Sequence, residues 1–193
     1  MRSGRKVAPP ILTGNEAPLD WYAKVFELID MRSFSNLWYW IALAVVWSAA
    51  SHRVIGVPWD MVHKAARLGG QAEIDFEEMV RINCNRLLYI AAMSGLWLVV
   101  LGSALLSALA ILGFWYWVEF AQAVFLLAFP LTLVGLLSLN TARIIRDSAL
   151  SGRALRTRLL RHRIATQFIG MISIFITALW GMYQNISLSV LGG

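Results

Sequence analysis

Between Leu87 and Leu139 the chain carries one charged side chain, Glu119, in a run dominated by Leu, Ala, Val, Ile, Phe and Trp. The hydrocarbon core of a bilayer is about 30 Å thick, and a helix needs roughly 20 apolar residues to cross it. A run more than twice that long must cross, turn and cross back. Gly113-Phe114-Trp115-Tyr116-Trp117 offers a place to turn, because Trp and Tyr rings favour the headgroup level. The stretch therefore predicts a transmembrane hairpin, and that hairpin sets the class of the chain.

Two further spans are expected. Residues Phe34 to Ala50 are rich in aromatics, and Ile164 to Tyr183 form the last apolar run. The predicted fold is an all-α integral membrane protein with four transmembrane helices, at about 34–50, 87–112, 117–139 and 164–183, within a domain 33–193. An interfacial amphipathic helix is expected over 19–32. There Trp21, Val25, Leu28 and Ile29 share one face, and Asp20, Lys24 and Glu27 another. A flexible tail rich in Pro, Gly and charge, 1–18, precedes it. Helical cytoplasmic extensions complete the picture. Gln71 to Leu112 reads as one unbroken helix of about 60 Å, Asn140 to Asp147 prolongs the third span, and Pro58 and Gly69-Gly70 bracket a short helix over Trp59 to Leu68. Pro130 predicts a kink whose freed carbonyl a neighbouring helix must satisfy. Prolines interrupt any apolar core behind the basic N-terminus. No cleavable signal is expected, and the first span should serve for insertion.

The net charge of +6 could indicate nucleic acid, but its distribution argues otherwise. Of 17 Lys and Arg, twelve lie in connections 52–86 and 140–163, and none lies in the aromatic corner. Four spans place those connections on one side, so the excess of basic residues in cytoplasmic loops makes them cytoplasmic and both termini external. A re-entrant first stretch would instead bring the N-terminus inside. Charged residues are 15% of the chain, against about 25% in soluble domains, which fits a membrane protein better than a nucleic-acid partner. The lone Cys84 excludes an internal disulfide, a CxxC pair and a four-Cys metal site. His52, His63 and His162 lack the spacing of haem or His–acid metal sites, and no GxSxG, P-loop or Gly-rich dinucleotide fingerprint is present. No cofactor is expected; bound lipids are.

Three sets of residues are candidate sites. Glu119 is the only acid inside the hairpin, and Gln122 follows about one turn later. With Ser173 and Thr177 of the last span they form a candidate ion path or intramembrane polar site. Small residues mark helix-packing faces: Gly170 and Gly181 in the last span, Gly95 and Gly102 in the second, Gly135 in the third. Finally, Arg143, Arg146, Arg153, Arg156, Arg158, Arg161 and Arg163 face a single acid, Asp147, in their segment. They suit anionic headgroups or an acidic partner, and Glu73, Asp75, Glu77 and Glu78 provide one within the chain.

The stretch from Asp20-Trp21-Tyr22 through Phe26-Glu27-Leu28-Ile29-Asp30-Met31-Arg32-Ser33-Phe34-Ser35-Asn36-Leu37-Trp38-Tyr39-Trp40-Ile41, with Gly56-Val57-Pro58 after it, resembles a small family of alphaproteobacterial inner-membrane proteins known as "component of SufBCD complex". The resemblance covers about the first third of the chain. It implies a bacterial inner-membrane setting and supplies no catalytic or binding residues. A chain with one cysteine also lacks the thiolates by which a scaffold holds an iron–sulfur cluster. The leading functional expectation is a non-enzymatic membrane subunit or accessory protein, as a homo-oligomer or within a larger complex. The alternatives are a small oligomeric channel or transporter with a Thr/Ser/Gly-lined path and, behind it, an enzyme acting on lipid headgroups.

Overall fold

The computed structural model describes the backbone of residues 33–191 and the side chains of 34–186. The expected tail, 1–18, and interfacial helix, 19–32, lie outside the described residues. A 3₁₀ turn, Ser33–Ser35, leads into α1 (Leu37–His52). A two-stranded ribbon follows, β1 (Arg53–Val54) and β2 (Val57–Pro58), and then α2 (Trp59–Leu68) and α3 (Gly70–Ala110). A π-helical turn, Ile111–Trp115, joins α3 to the corner, beyond which lie α4 (Glu119–Asp147) and α5 (Gly152–Leu191).

Among the described residues three segments are long and apolar enough to cross a membrane: Gly70–Trp115, Glu119–Asp147 and Gly152–Ile186. The expected first span does form a helix. Asn36 caps it by accepting the Trp38 N–H at 3.0 Å. Its 16 residues give about 24 Å of helix at 1.5 Å per residue, short of a full hydrocarbon core.

The ribbon was not expected from the sequence. Arg53 pairs with Pro58 and Val54 with Val57, and the two residues between them have positive φ, 51° at Ile55 and 78° at Gly56. That is the pattern of the tight hairpin turn whose twist matches its strands. Glycine fills the second position without strain, whereas a β-branched residue at the first is an outlier. Burial of the Ile55 side chain helps to hold it there.

The long helix runs close to its expected bounds and ends where the ladder widens into the π turn. Trp117 then takes φ 57°, and α4 starts two residues later. Gly113 is needed at this corner, because a Cβ there would lie 3.0 Å from the backbone N of Gln122. Helix α4 continues through Pro130. Proline cannot donate to the carbonyl four residues back, here that of Leu126, and Ser173 of α5 donates its hydroxyl to that oxygen at 3.4 Å. The second reversal uses Ala149 at φ 44° and Gly152 at φ 51°.

The buried core sits at the end of the molecule that carries the basic connections. Phe76, Val80, Cys84 and Leu88 follow one another at four-residue steps along α3, which puts them on one face of a helix. Against them pack Val54, Ile55 and Val57 of the hairpin, Val62 and Ala65 of α2, Ala142 and Ile145 of α4, and Leu155 and Leu159 of α5. Each buried Leu, Val or Phe contributes roughly 1.5–3 kcal/mol by leaving water. The apolar half of α3 is different. Only 6% of its most apolar window is buried, and Leu96, Trp97 and Leu101 are more than 60% exposed.

Candidate functional site

Near the aromatic corner the chain places a fully buried amide, Gln122. Its Nε2 donates to the Gly113 carbonyl at 2.8 Å. Its Oε1 accepts the Trp180 indole N–H at 2.9 Å and the Gln184 amide at 2.6 Å. One side chain thus ties the π turn, α4 and α5 together. Glu119 has a separate task, since its Oε1 accepts the Phe34 N–H at 2.7 Å and anchors the 3₁₀ turn. Tyr39 of α1 donates its hydroxyl to the Ala123 carbonyl at 3.2 Å, and Thr177 is fully buried beside that hydroxyl. The four residues of the expected polar site therefore lie at the seams joining α1, α4 and α5. Glu119, Gln122 and Ser173 each spend their polar atoms on a different partner element.

The small residues fall into two groups. An added Cβ at Gly170 would lie 2.7 Å from the Trp47 ring, and one at Gly181 would lie 3.3–3.4 Å from Phe34 and Trp40. Both glycines let α1 settle onto α5. At Gly95, Gly102 and Gly135 no described atom lies within 4 Å of the added atom, so those three glycines are not points of close approach between the described helices.

The basic segment meets the acidic cluster directly. Arg156 is ion-paired with Glu73, and Glu77 accepts the Gly152 N–H at 2.5 Å at the start of α5. Arg163 lays its guanidinium 4.4 Å from the centre of the Trp59 ring, a cation–π contact fastening α2 to α5. Arg158 is partly buried, with its Nε unpartnered. Arg143, Arg153 and Arg161 are exposed. Arg146 pairs with its neighbour Asp147, at 3.5 Å on the surface, a pair of little energetic weight. Of the remaining acids, Asp75 accepts the Gln71 amide at 2.7 Å and Glu78 pairs locally with Arg81.

A third feature was not visible in the sequence. At the boundary between the basic end and the apolar segments lies a cavity of about 350 Å³. Arg53, Arg86, Asn83, Ser138, His162 and Thr166 line its polar part, and Ile90 and Val134 are among its apolar lining. His162 is buried between α4 and α5, with Nδ1 3.2 Å from the Thr141 hydroxyl and Nε2 3.4 Å from Ser138 Oγ. Ser138 already donates its proton to the Val134 carbonyl at 2.8 Å. Nε2 therefore carries the hydrogen, and Nδ1 accepts from Thr141. Burial, with the Arg158 charge in second place, lowers the His162 pKa below its ordinary value, which favours this neutral form. Thr166 is buried as well, and its hydroxyl has no hydrogen-bond partner among the described residues. Arg53 and Arg86 take part in no ion pair among the described residues. They stand at opposite ends of the one connection 52–86, Arg53 on β1 and Arg86 on α3, and the ribbon, which turns the chain back at residue 55, brings them to one cavity.

Cys84 belongs to the core, where burial pushes its thiol pKa up and makes it a weak nucleophile. Among the described residues no group of three or more His, Cys, Asp or Glu is placed to hold a metal ion.

These features define a helical chain with three segments capable of crossing a membrane and a packed, strongly basic end. Comparison with known proteins finds no matching family model, no matching curated protein and no matching solved structure.

Proposed function

We propose that this chain is a non-enzymatic, multi-pass integral membrane protein of the bacterial inner membrane, acting as a subunit or accessory protein. The observation that carries the proposal is the division between its two ends. The basic end has a conventional core of buried side chains, from Val54 to Leu159. The apolar segments keep Leu96, Trp97 and Leu101 on the outside, where only hydrocarbon or another protein can solvate them.

In this reading α3, α4 and α5 cross the bilayer. The shorter α1 completes a fourth span, with the membrane thinned around it. The resemblance of the first third to inner-membrane proteins supports the setting, and the twelve basic residues in connections 52–86 and 140–163 support a cytoplasmic position for the packed end. Gly95 and Gly102 of α3, with no described atom within 4 Å of an added Cβ, are positions where a second helix can approach closely. That face is assigned to a further copy or to a larger membrane complex.

The test is gentle extraction in mild detergent followed by mass spectrometry of the intact assembly. A homo-oligomer or a stoichiometric partner is the expected result. A clean monomer that retains no partner contradicts the proposal.

A further inference from the structure

We propose that the cavity between α1, α3, α4 and α5 is a specific site for the phosphate headgroup of an anionic phospholipid, held by Arg53 and Arg86. Three independent observations support it. The first is unspent charge: two guanidinium groups line one cavity of about 350 Å³ with no carboxylate among its lining residues, and neither joins an ion pair among the described residues. Arginine presents a planar fork of donors that matches phosphate oxygens. The second is unspent hydrogen bonding. Thr166 lines the same cavity with a buried, unpartnered hydroxyl, the kind of polar group that natural proteins seldom leave unsatisfied.

The third is the grading of the lining. Arg53, Arg86, Asn83 and His162 lie at the basic end, and Ile90 and Val134 on the side of the apolar segments. A headgroup would meet the arginines while its acyl chains ran along the helices into hydrocarbon, a geometry that a free phosphate ion does not use. Basic recesses between helices on the cytoplasmic side are a recurrent way to hold anionic lipids. This site differs from the Arg143–Arg163 surface, because it takes its cations from β1 and α3. The strained turn belongs to it. Ile55 and Gly56 line the cavity, and Asn83 Oδ1 lies only 3.1 Å from where a Gly56 Cβ would be, so the hairpin tip is seated against the wall that carries Arg86.

The inference rests on the membrane reading above, and the experiment separates the two. The full chain, purified in a neutral detergent, is incubated with equal amounts of phosphatidylglycerol and phosphatidylcholine, and retained lipid is read by native mass spectrometry. Retention of phosphatidylglycerol over phosphatidylcholine is expected, with apparent affinity falling about tenfold or more in an Arg53→Gln/Arg86→Gln variant. A decrease of about twofold to fivefold is expected in Thr166→Val, which keeps the cavity's shape and so guards against misfolding of the double variant. Arg67→Gln, an exposed arginine of α2 outside the cavity, should leave retention unchanged. The proposal is overturned if the Arg53/Arg86 and Thr166 variants retain lipid like the parent, if Arg67→Gln loses as much, or if inorganic phosphate alone displaces the lipid. A chain that stays dissolved without detergent contradicts the membrane reading; unselective retention by a detergent-dependent chain contradicts the site alone.

Discussion

Gln122 donates its side-chain amide to the carbonyl oxygen of Gly113 at 2.8 Å, closing the corner between the π turn and α4 from the inside. The same side chain accepts from Trp180 and Gln184 of α5, so three backbone or side-chain polar groups depend on it in an apolar setting. Replacing it by Leu, similar in bulk, leaves all three without that partner. Hydrogen bonds within membranes are individually modest, and the expected loss is about 2 kcal/mol in total. Reversible unfolding in mixed micelles measures it, and a loss near zero would show that the corner holds without the clamp.

The contact of Gly170 with Trp47 makes α1 sensitive to one methyl group. Ala at 170 drives its Cβ to 2.7 Å from the indole ring, and overpacking of this kind costs about 1–3 kcal/mol. Ala at Gly102 or Gly135 meets no described atom within 4 Å and gains helix propensity instead. Parallel unfolding measurements should therefore show Gly170→Ala destabilised and the other two neutral or slightly stabilised. Should Gly102→Leu also shift the assembly toward smaller species in native mass spectrometry, that face is the one used between copies.

Arg156 and Glu73 join the start of α5 to the start of α3 across a partly covered surface. Either single alanine replacement is expected to cost about 1 kcal/mol, with a smaller cost for the double than the sum of the two. Additive costs in the double-mutant cycle would show that the pair contributes no coupling.

The neutral His162 gives the basic end a pH dependence with a definite sign. In the unfolded chain an imidazole takes up a proton near pH 6.5, whereas burial and Arg158 resist that proton in the folded state. Below about pH 6.5 the unfolded form therefore binds more protons, and stability falls as pH falls; above it both forms are neutral and the contribution is flat. His162→Gln should flatten the decline of unfolding temperature between about pH 7 and pH 5. An unchanged slope contradicts the assignment.

Much of the helical framework could be read from the chain. An apolar run of that length has few foldings, and α3 and α4 lie close to the bounds that periodicity, Gly69-Gly70 and the aromatic corner dictate. The repeat of Phe76, Val80, Cys84 and Leu88 was also present as a signal, but Glu73, Asp75, Glu77 and Glu78 around it made the segment read as a polar connection. The ribbon left no local signal. Its turn uses Ile55, a residue that resists the left-handed region, in place of the Asn-Gly or Asp-Gly that announces such hairpins. The cavity depends on that ribbon, so Arg53 and Arg86 looked like two unrelated loop charges. Small residues alone could not tell which faces are occupied: Gly170 meets Trp47 because an aromatic of α1 reaches it, which spacing within one helix cannot encode.

The most direct test of the account is the side from which each turn can be reached. In intact cells, with Cys84 replaced by Ala, single cysteines are placed by His63→Cys in α2, Trp115→Cys at the corner and Arg153→Cys at the start of α5. They are then challenged with a thiol reagent that cannot cross the inner membrane. The account predicts labelling at 115 from outside, and labelling at 63 and 153 only after the membrane is opened. Labelling of 63 or 153 in intact cells, or equal reactivity at all three, would contradict it.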